Sequence, residues 1–422
     1  MPQTVDEALD ARYRSLYGVA AGYLPADRGA VDLFHDQLAA DLRDRGTPAA
    51  PNPAVRALGH LLERDAIVRM DVSRMIEQAL EIPGSPKTIT NVYDLLNALD
   101  RIVTIAPVYA PKGSRNFFPM SALFTYMMFT PAGESVFRNA AFNEAIRRIL
   151  KEWCAYLDSA ASREVINTGA NGWLSGPARE EYKLDDFQVD WSAPHGGFAS
   201  YNDFFHREIK PAKRPIADPG DPRIVVSAND GTVSSIQRGV SLYNRFWIKA
   251  QPYSLADMLA GDEDVNRFVG GDVIQSFLSG ANYHRWHAPV AGRITRAEVV
   301  DGLQFSEAES QGFDPDAGVL SAGYESAVNT RGLVYIETER VGTVVVMPIG
   351  ITEISSITIT VRPGQQVSKG EELGWFSYGG STLCVVFQPA RIERFTVAQP
   401  GPGGRPLGQP IDVNSRIAVA TT

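Results

Sequence analysis

The sequence predicts an α+β protein with a helical N-terminal domain and a mainly antiparallel β domain. Three observations predict it. Residues 1–165 carry apolar side chains at helical spacing, residues 199–422 carry short β-branched runs between glycine turns, and 422 residues exceed what one hydrophobic core usually organises. Residues 166–198 are rich in Gly, Asn, Asp and Pro with weak periodicity, which is typical of a linker.

Four helices are predicted in the N-terminal domain. The first shows Val31, Phe34 and Leu38 on one face. Asn52 can cap the second and Pro53 suits its first turn. The third follows another capping residue, Asn91, and the fourth is the last strongly amphipathic segment. The predicted spans are 31–46, 53–82, 92–106 and 134–159.

Composition excludes several classes of protein. The chain has 49 acidic and 40 basic residues, and its formal net charge of -9 disfavours nucleic acid or an anionic membrane as a partner. The N-terminus has no basic region followed by an apolar run, so we expect a cytoplasmic protein without a membrane anchor. The two cysteines, Cys154 and Cys384, are far apart and form neither a disulfide framework nor a metal motif.

A glycine-rich turn carries the most informative hydroxyl. Gly379, Gly380 and Ser381 stand between two apolar segments, and the glycines permit strained backbone geometry. In such a turn the serine oxygen can attack the carbonyl of Gly380 and convert the peptide bond to an ester. Elimination then leaves dehydroalanine, which hydrolyses to a pyruvoyl group. The ordinary interpretation of the same residues is a hairpin turn.

Two histidines and one aspartate form the other candidate groups. His284 and His287 are two of six histidines, and such a pair can bind metal, shuttle protons or serve as hydrogen-bonded structural residues. No cysteine or carboxylate cluster nearby completes a metal site, so no metal is predicted. Asp230 stands in an Asp-Gly sequence between two strands, which on its own is a common hairpin turn.

The order of five segments resembles the phosphatidylserine decarboxylase family. The resemblance spans roughly half of the chain, and its fold is the α+β type with the β domain as catalytic domain. The matching segments are Phe204–Pro211 with Arg214–Ile216, Val226–Gly231, Ile248–Ala250 with Tyr253–Leu255, Tyr283–His287, and Gly380–Thr382.

The resemblance implies roles for the candidate residues. Asp230 orients and charges His287, which removes the proton of Ser381 so that its oxygen attacks Gly380. This is the logic of a nucleophile, a base and an orienting carboxylate. His284 is the candidate for the later protonation step.

The resemblance also implies self-processing. Cleavage between Gly380 and Ser381 leaves a β chain, residues 1–380, and an α chain, residues 381–422, that begins with a covalent pyruvoyl cofactor made from Ser381. The ketone of this cofactor condenses with a substrate amine and withdraws electrons, so that the carboxylate leaves as carbon dioxide. The partners expected are therefore a small-molecule substrate and the two chains of one precursor.

Two departures bear on the substrate. Gly379 replaces the leucine of the family's Leu-Gly-Ser-Thr motif, and Asn282 stands where an acid often precedes the histidines. A large helical domain also takes the place of hydrophobic N-terminal segments. This architecture resembles a soluble branch of the family that includes tryptophan decarboxylases. We therefore predict that the substrate is a free aromatic L-amino acid, with phosphatidylserine, which would give phosphatidylethanolamine, as the alternative.

Three other classes of function stay open from the residues alone. The segments around Val361 and Gly370 resemble the sheets of biotinyl or lipoyl carriers, although no lysine lies at a hairpin tip within a carrier motif. An unprocessed relative could serve as a scaffold or binding module. A zinc hydrolase could use His284 and His287, but its remaining ligands are not identifiable.

Overall fold

The structure divides the chain into two compact units. It is a computed structural model that describes residues 28–46, 50–82, 85–110, 118–128, 130–245, 253–278, 282–306, 321–351, 356–400 and 408–421. The helical unit comprises residues up to 181 together with 190–204 and 303–317, and the β unit comprises 182–189, 205–302 and 318–422. The predicted α+β class is confirmed. The predicted segment Ile248–Ala250 lies outside the described residues.

The helical unit is built from amphipathic helices whose ends are capped as the sequence indicates. The side chain of Asn52 accepts a hydrogen bond from the backbone N–H of Ala54, and Asn91 accepts from Tyr93 and Asp94. Its helices are α1 (Arg28–Arg45), α2 (Pro53–Arg64), α3 (Ala66–Glu81), α4 (Val92–Ile102), α5 (Pro119–Met128), α6 (Pro131–Arg138), α7 (Ala140–Leu157), the 3-10 helix Ala160–Val165, and α8 (Gly176–Glu181).

Two of the four predicted helices are wrong in extent, because each is a pair of helices. Asp65 ends α2 with extended backbone (φ -104°, ψ 103°), and its carboxylate accepts from two N–H groups of α3. Asn139 separates α6 from α7 in the same way. In both cases a short polar side chain offers the backbone an alternative to continued helix. Helix α5 was not predicted.

The predicted linker, residues 166–198, has structure of its own and contributes to both units. Its buried Trp173 donates a hydrogen bond to the carbonyl of Pro107 at 2.7 Å within the helical unit. Its Phe187 forms a β-bridge with Ile209 within the β unit. Contacts of individual aromatic residues such as Trp173 and Phe187 attach this segment to the two units, so it folds without a periodic pattern of apolar residues. A later excursion, around Phe305, also belongs to the helical unit.

The described residues of the β unit form three antiparallel sheets, in agreement with the predicted antiparallel domain. The orders are β13-β2-β3-β11-β7-β6-β5-β9, β4-β10-β8 and β1-β14-β12. The strands are β1 (Ile224–Val226), β2 (Gly231–Arg238), β3 (Asp272–Leu278), β4 (Arg285–His287), β5 (Gly292–Val300), β6 (Arg331–Glu337), β7 (Thr343–Ile351), β8 (Ile357–Ile359), β9 (Gln366–Val367), β10 (Glu372–Phe376), β11 (Gly380–Phe387), β12 (Ile392–Phe395), β13 (Pro410–Ile411) and β14 (Arg416–Ala420).

Seven shorter helices lie among the described residues after residue 181. They are 3-10 helices Leu184–Asp186, Pro194–Gly197, Pro211–Lys213 and Glu263–Phe268, and α9 (Tyr201–Phe205), α10 (Leu255–Met258) and α11 (Ala322–Val328). Within the described ranges, no helix is both long and apolar enough to span a bilayer.

The eight-stranded sheet has two apolar faces with different neighbours. On one face Leu383 belongs to the same core cluster as Trp286 of β4 and Phe376 of β10, so the β4-β10-β8 sheet covers this face. On the other, Cys384 clusters with Tyr253. Alternation along β11 therefore assigns odd-numbered residues to the face beneath the small sheet.

Candidate active site

Ser381 lies near the start of β11, in the middle of the eight-stranded sheet. It is paired with Leu278 of β3 on one side and with Gly350 of β7 on the other. By alternation its side chain shares the face of Leu383, beneath the sheet that carries the two histidines. The side chain is 0% exposed, and its Oγ has no hydrogen-bond partner among the described residues. A buried hydroxyl without a partner is costly.

The turn before Ser381 depends on glycine. Gly379 has φ +144°, a region that residues with a Cβ rarely adopt. The chain leaves β10 at Phe376, turns through Gly379 and enters β11 at Gly380. The serine is thus held at the exit of a turn whose conformation the family's leucine would not favour.

His287 is held by two hydrogen bonds. Its Nδ1 lies 2.9 Å from the carbonyl oxygen of Gly370, and its Nε2 lies 2.9 Å from the hydroxyl of Tyr283. A carbonyl only accepts, so Nδ1 carries the hydrogen and Nε2 of the neutral ring is the basic nitrogen. Burial lowers the pKa of His287, while the Gly370 carbonyl and the charges of Glu372 and, to a smaller extent, Asp230 act to raise it. The ring is therefore neutral at pH 7.

Asp230 is bound by groups other than His287. Its carboxylate accepts two hydrogen bonds from Arg214, at 2.9 Å to Oδ1 and 2.6 Å to Oδ2, and one from the backbone N–H of Val413 at 2.7 Å. The direct orienting contact with His287 that the resemblance implies is not the arrangement in the structure. Asp230 acts on His287 through its charge.

Backbone contacts nevertheless bring Asp230 and His287 into one neighbourhood. The N–H of His287 donates to the carbonyl of Ala228, two residues before Asp230, at 2.8 Å. Asp230 immediately precedes β2, which pairs with β3, and β3 pairs with β11. Two strand spacings, roughly 10 Å, therefore separate the start of β2 from that of β11.

His284 lies in an aromatic enclosure. Its ring is 0% exposed and stacks on Phe205 with centroids 3.9 Å apart, and Phe205 also contacts Tyr378 edge-on at 5.4 Å. Neither ring nitrogen has a partner with full hydrogen-bond geometry in the described residues, although the backbone of Asn282 acts to raise the pKa. Burial outweighs this and holds the pKa of His284 well below its ordinary value. The strand pairing places His284 opposite Phe376, whose N–H donates to its carbonyl at 2.9 Å.

A buried polar chain supports the strand that carries Ser381. Thr382 donates to the carbonyl of Ser276 and accepts from Gln275, and Gln275 accepts from the hydroxyl of Tyr253 at 2.6 Å. The hydroxyl of Ser276 donates to the side chain of Asn229, next to Asp230. Hydrogen bonds thus run between the aspartate turn and the residue after Ser381. This network fixes the relative register of β2, β3 and β11.

Sequence reasoning missed several residues of the site. Arg214 was noted only as part of a matching segment, although an arginine is the natural partner of a buried carboxylate. The sequence shows Tyr283 next to the histidines but does not indicate that its hydroxyl is hydrogen-bonded to the imidazole of His287. Gly370 acts through its carbonyl, and a backbone acceptor leaves no signal in residue type.

The site can support acid–base and nucleophilic chemistry. It combines a desolvated hydroxyl, an imidazole of defined tautomer and a carboxylate held by an arginine. The described residues contain no group of three or more His, Cys, Asp or Glu side chains arranged to hold a metal ion.

Comparisons with known proteins agree with the fold. A family model described as phosphatidylserine decarboxylase matches residues 201–405, and a second of that description matches 52–182. "Decarboxylase iboD" of Amanita muscaria (strain Koide BX008) is 34% identical over 76% of this chain and 98% of its own length.

Two further relatives differ in how much of the chain they match. The L-tryptophan decarboxylase of Psilocybe cubensis is 30% identical over 81% of this chain and 82% of its own length. The phosphatidylserine decarboxylase proenzyme of Chlamydia pneumoniae is 31% identical over 51% of this chain and 68% of its own length.

These matches define the class of protein as a carboxy-lyase, an enzyme that releases carbon dioxide. The chain belongs to the phosphatidylserine decarboxylase family. The predicted family and class of enzyme are confirmed. Members of this family use a pyruvoyl group.

Proposed function

We propose that this protein is a self-processing decarboxylase that converts Ser381 into its pyruvoyl cofactor and acts on a free aromatic L-amino acid. One observation carries the first half. Ser381 is completely buried with an unpartnered hydroxyl, follows a turn that requires glycine, and faces the sheet that bears His284 and His287. A structural serine at such a position would be expected to have a hydrogen-bond partner.

In this proposal His287 is the base for processing. Its Nε2 becomes protonated as the serine loses its proton, and the Gly370 carbonyl stabilises the imidazolium through Nδ1–H. Asp230, through its charge, favours that imidazolium, and two hydrogen bonds from Arg214 fix the position of the carboxylate. The peptide bond broken is Gly380–Ser381, which gives the β chain 1–380 and the α chain 381–422.

The residues around Ser381 fit a pyruvoyl group. A buried position without a hydrogen-bond partner loses nothing when its hydroxyl is replaced by a ketone oxygen. The cofactor supplies an electron-withdrawing ketone that condenses with an amine and allows the carboxylate to leave. His284, neutral and stacked on Phe205, is the group proposed to deliver a proton to the product carbon.

The extent of similarity supports an amino-acid substrate. The relatives named L-tryptophan decarboxylase and decarboxylase iboD match 81% and 76% of this chain, including much of the helical unit, whereas the Chlamydia pneumoniae proenzyme matches 51%. An aromatic substrate also suits a site that already contains Phe205 and Tyr378. The alternative is phosphatidylserine, which the family description favours.

The intact mass of the purified protein under denaturing conditions tests processing. We expect two fragments that break between Gly380 and Ser381, with the small one blocked at its N-terminus. Ser381→Ala should remain one folded chain without decarboxylase activity, because alanine has no oxygen to attack Gly380. A single uncleaved wild-type chain that is folded would contradict the proposal and favour a scaffold or binding role.

Carbon dioxide release from L-tryptophan, L-tyrosine and L-phenylalanine, and from phosphatidylserine in detergent micelles, tests the substrate. We expect release from at least one free amino acid and none from the lipid, with Ser381→Ala as the blank. Release from the lipid alone would replace our substrate by the alternative while leaving the processing assignment intact.

A further inference from the structure

Tyr283 occupies the one nitrogen of His287 that can act as a base. Its hydroxyl lies 2.9 Å from Nε2, and the two rings are inclined by 30° with centroids 5.6 Å apart. An imidazole nitrogen without hydrogen has a single lone pair in the ring plane, and the phenol O–H uses it. Ser381 therefore cannot donate to Nε2 while this hydrogen bond exists.

The phenol is held too firmly for it to move aside readily. Tyr283 is 3% exposed and belongs to a core cluster with Phe187, Ile209 and Val413. Phe187 in turn lies under the guanidinium of Arg207, 4.1 Å from the ring centroid. To displace the phenol would break this packing. A proton path through the phenol oxygen leaves the packing intact.

The hydrogen-bonding capacities of the two hydroxyls are complementary. The Oγ–H of Ser381 is a buried donor without an acceptor in the described residues. The oxygen of Tyr283 donates its hydrogen to Nε2 and keeps lone-pair capacity to accept one. We propose that Tyr283 is a proton relay and positioning residue for self-processing: it accepts the proton of Ser381 as it passes its own proton to His287. This inference rests on the proposed processing at Ser381.

The step balances without any further reactant. The Oγ–H bond of Ser381 breaks as a bond forms between Oγ and the carbonyl carbon of Gly380. The serine proton moves to the oxygen of Tyr283, and the phenol proton moves to Nε2 of His287. The imidazolium then returns a proton by the same path to the leaving nitrogen of Ser381 as the C–N bond breaks, which leaves the ester.

Burial determines how the two protons move. Desolvation raises the pKa of Tyr283, so a free phenolate is disfavoured. The two transfers are therefore concerted, and the phenol is never ionised. In the relay two protons move in the same step, whereas direct transfer from Ser381 to His287 would move one.

Ester formation can be followed directly in newly translated chains. Hydroxylamine cleaves an ester and so splits the chain at Gly380 once the oxygen has attacked. In Tyr283→Phe we expect the ester to form about 10- to 100-fold more slowly, because one acid–base step is lost. Tyr335→Phe is the matched control, since Tyr335 is a buried tyrosine of β6 in the core cluster on the opposite face of the sheet. It should process at the wild-type rate.

The solvent isotope effect separates the relay from a structural role. The rate of ester formation is measured in mixtures of H₂O and D₂O and plotted against the fraction of D₂O. For the wild type we expect a curved plot, which shows that two protons move in the rate-limiting step. For Tyr283→Phe we expect a straight line, which shows that one proton moves. A straight line for the wild type would overturn the relay even if the variant does not fold. A wild-type or faster rate in folded Tyr283→Phe would also overturn it, the faster rate because it would show that the phenol blocks the base.

His287→Ala distinguishes failure of this inference from failure of the proposed function. We expect no ester in His287→Ala. Normal ester formation there would remove His287 as the base, and the proposed processing mechanism with it. Loss of ester in His287→Ala together with a normal rate in Tyr283→Phe would remove only the relay.

Discussion

Two buried aspartates, one in each unit, are bound in nearly the same way. Asp100 of the helical unit accepts from Arg45 at 2.7 Å and from the backbone N–H of Asn52 at 2.5 Å. Asp230 of the β unit accepts from Arg214 and from the backbone N–H of Val413. Both carboxylates are almost fully buried. An arginine and an amide N–H are therefore a general means of burying a carboxylate, and do not by themselves mark an active site.

The two aspartates differ in the groups that surround them. Asp100 joins the end of α1 to the start of α2, so its hydrogen bonds connect helices. Asp230 precedes β2, which pairs with β3, and β3 in turn pairs with β11. The charge of Asp230 acts to raise the pKa of His287. A functional role is thus recognised by what the carboxylate acts on, and substitution can separate the two cases.

The largest effect is expected when the two aspartates are replaced by asparagine. Asp230→Asn removes the buried counter-charge of Arg214 and leaves only the exposed Asp412, 3.4 Å away, so it should lower the free energy of unfolding by about 3 kcal/mol. It should also slow chain cleavage by about 100-fold, because the imidazolium of His287 loses one of the two negative charges, Asp230 and Glu372, that favour it. Unfolding is measured by denaturant on the Ser381→Ala background, and cleavage by a time course on otherwise wild-type protein.

Asp100→Asn is the matched control. Arg45 is more exposed than Arg214, so we expect a loss of about 2 kcal/mol and an unchanged cleavage rate. Equal slowing of cleavage by both variants would mean that Asp230 acts only through stability.

A second prediction concerns a buried histidine of the helical unit. Burial lowers the pKa of His35 to about 4, because desolvation outweighs its hydrogen bond with the carbonyl of Ala122. The unfolded chain binds the proton near pH 6.5 and the folded chain only near pH 4, so acidification through this window favours unfolding. We expect His35 to remove about 3 kcal/mol of stability between pH 6.5 and pH 4.

His35→Gln isolates this contribution, since glutamine keeps an N–H donor and does not titrate. The difference in unfolding free energy between wild type and variant, both on the Ser381→Ala background, should change over that pH window and be flat above it. A constant difference would show that His35 titrates equally in both states.

The smallest effects are expected at two glycines, and with opposite signs. Gly379→Ala places a Cβ at φ +144° and should destabilise the protein by about 1–3 kcal/mol. Gly59→Ala, in α2, brings the new Cβ to an ordinary 3.5 Å from Leu96 and should stabilise by about 0.5–1 kcal/mol through helix propensity. Thermal unfolding of both variants on the Ser381→Ala background checks the signs. A tolerated alanine at 379 would mean that the turn can relax.

The starts of several helices could be predicted because their signals are local. Two helices begin where the residue types predict: Asn52 and Asn91 are N-caps, and Pro53 is in the first turn. The breaks at Asp65 and Asn139 were missed because a polar residue on a solvent-facing position is equally compatible with an unbroken helix.

The four site residues stay a prediction, and their contacts could not be predicted from the sequence. Asp230, His284, His287 and Ser381 all lie in the β unit and near one another through neighbouring strands. The partners of His287, however, are a hydroxyl four residues earlier and a carbonyl from a distant turn. Which groups meet across strands depends on register, and register depends on the whole sheet.

The position of β11 between β3 and β7 has a consequence for the proposed cleavage before Ser381. In a chain cut before Ser381, residues 381–422 would stay bound to the rest of the protein. Strand β11 would remain hydrogen-bonded to β3 and β7, and β14 would remain paired with β1. The two pieces would therefore stay together as one folded body, yet unfolding would release them as independent chains that must find each other by diffusion. Such a cut would turn a fold that a single chain can regain into one that forms once, and the lifetime of the cut protein would then depend on its rate of unfolding rather than on its equilibrium stability.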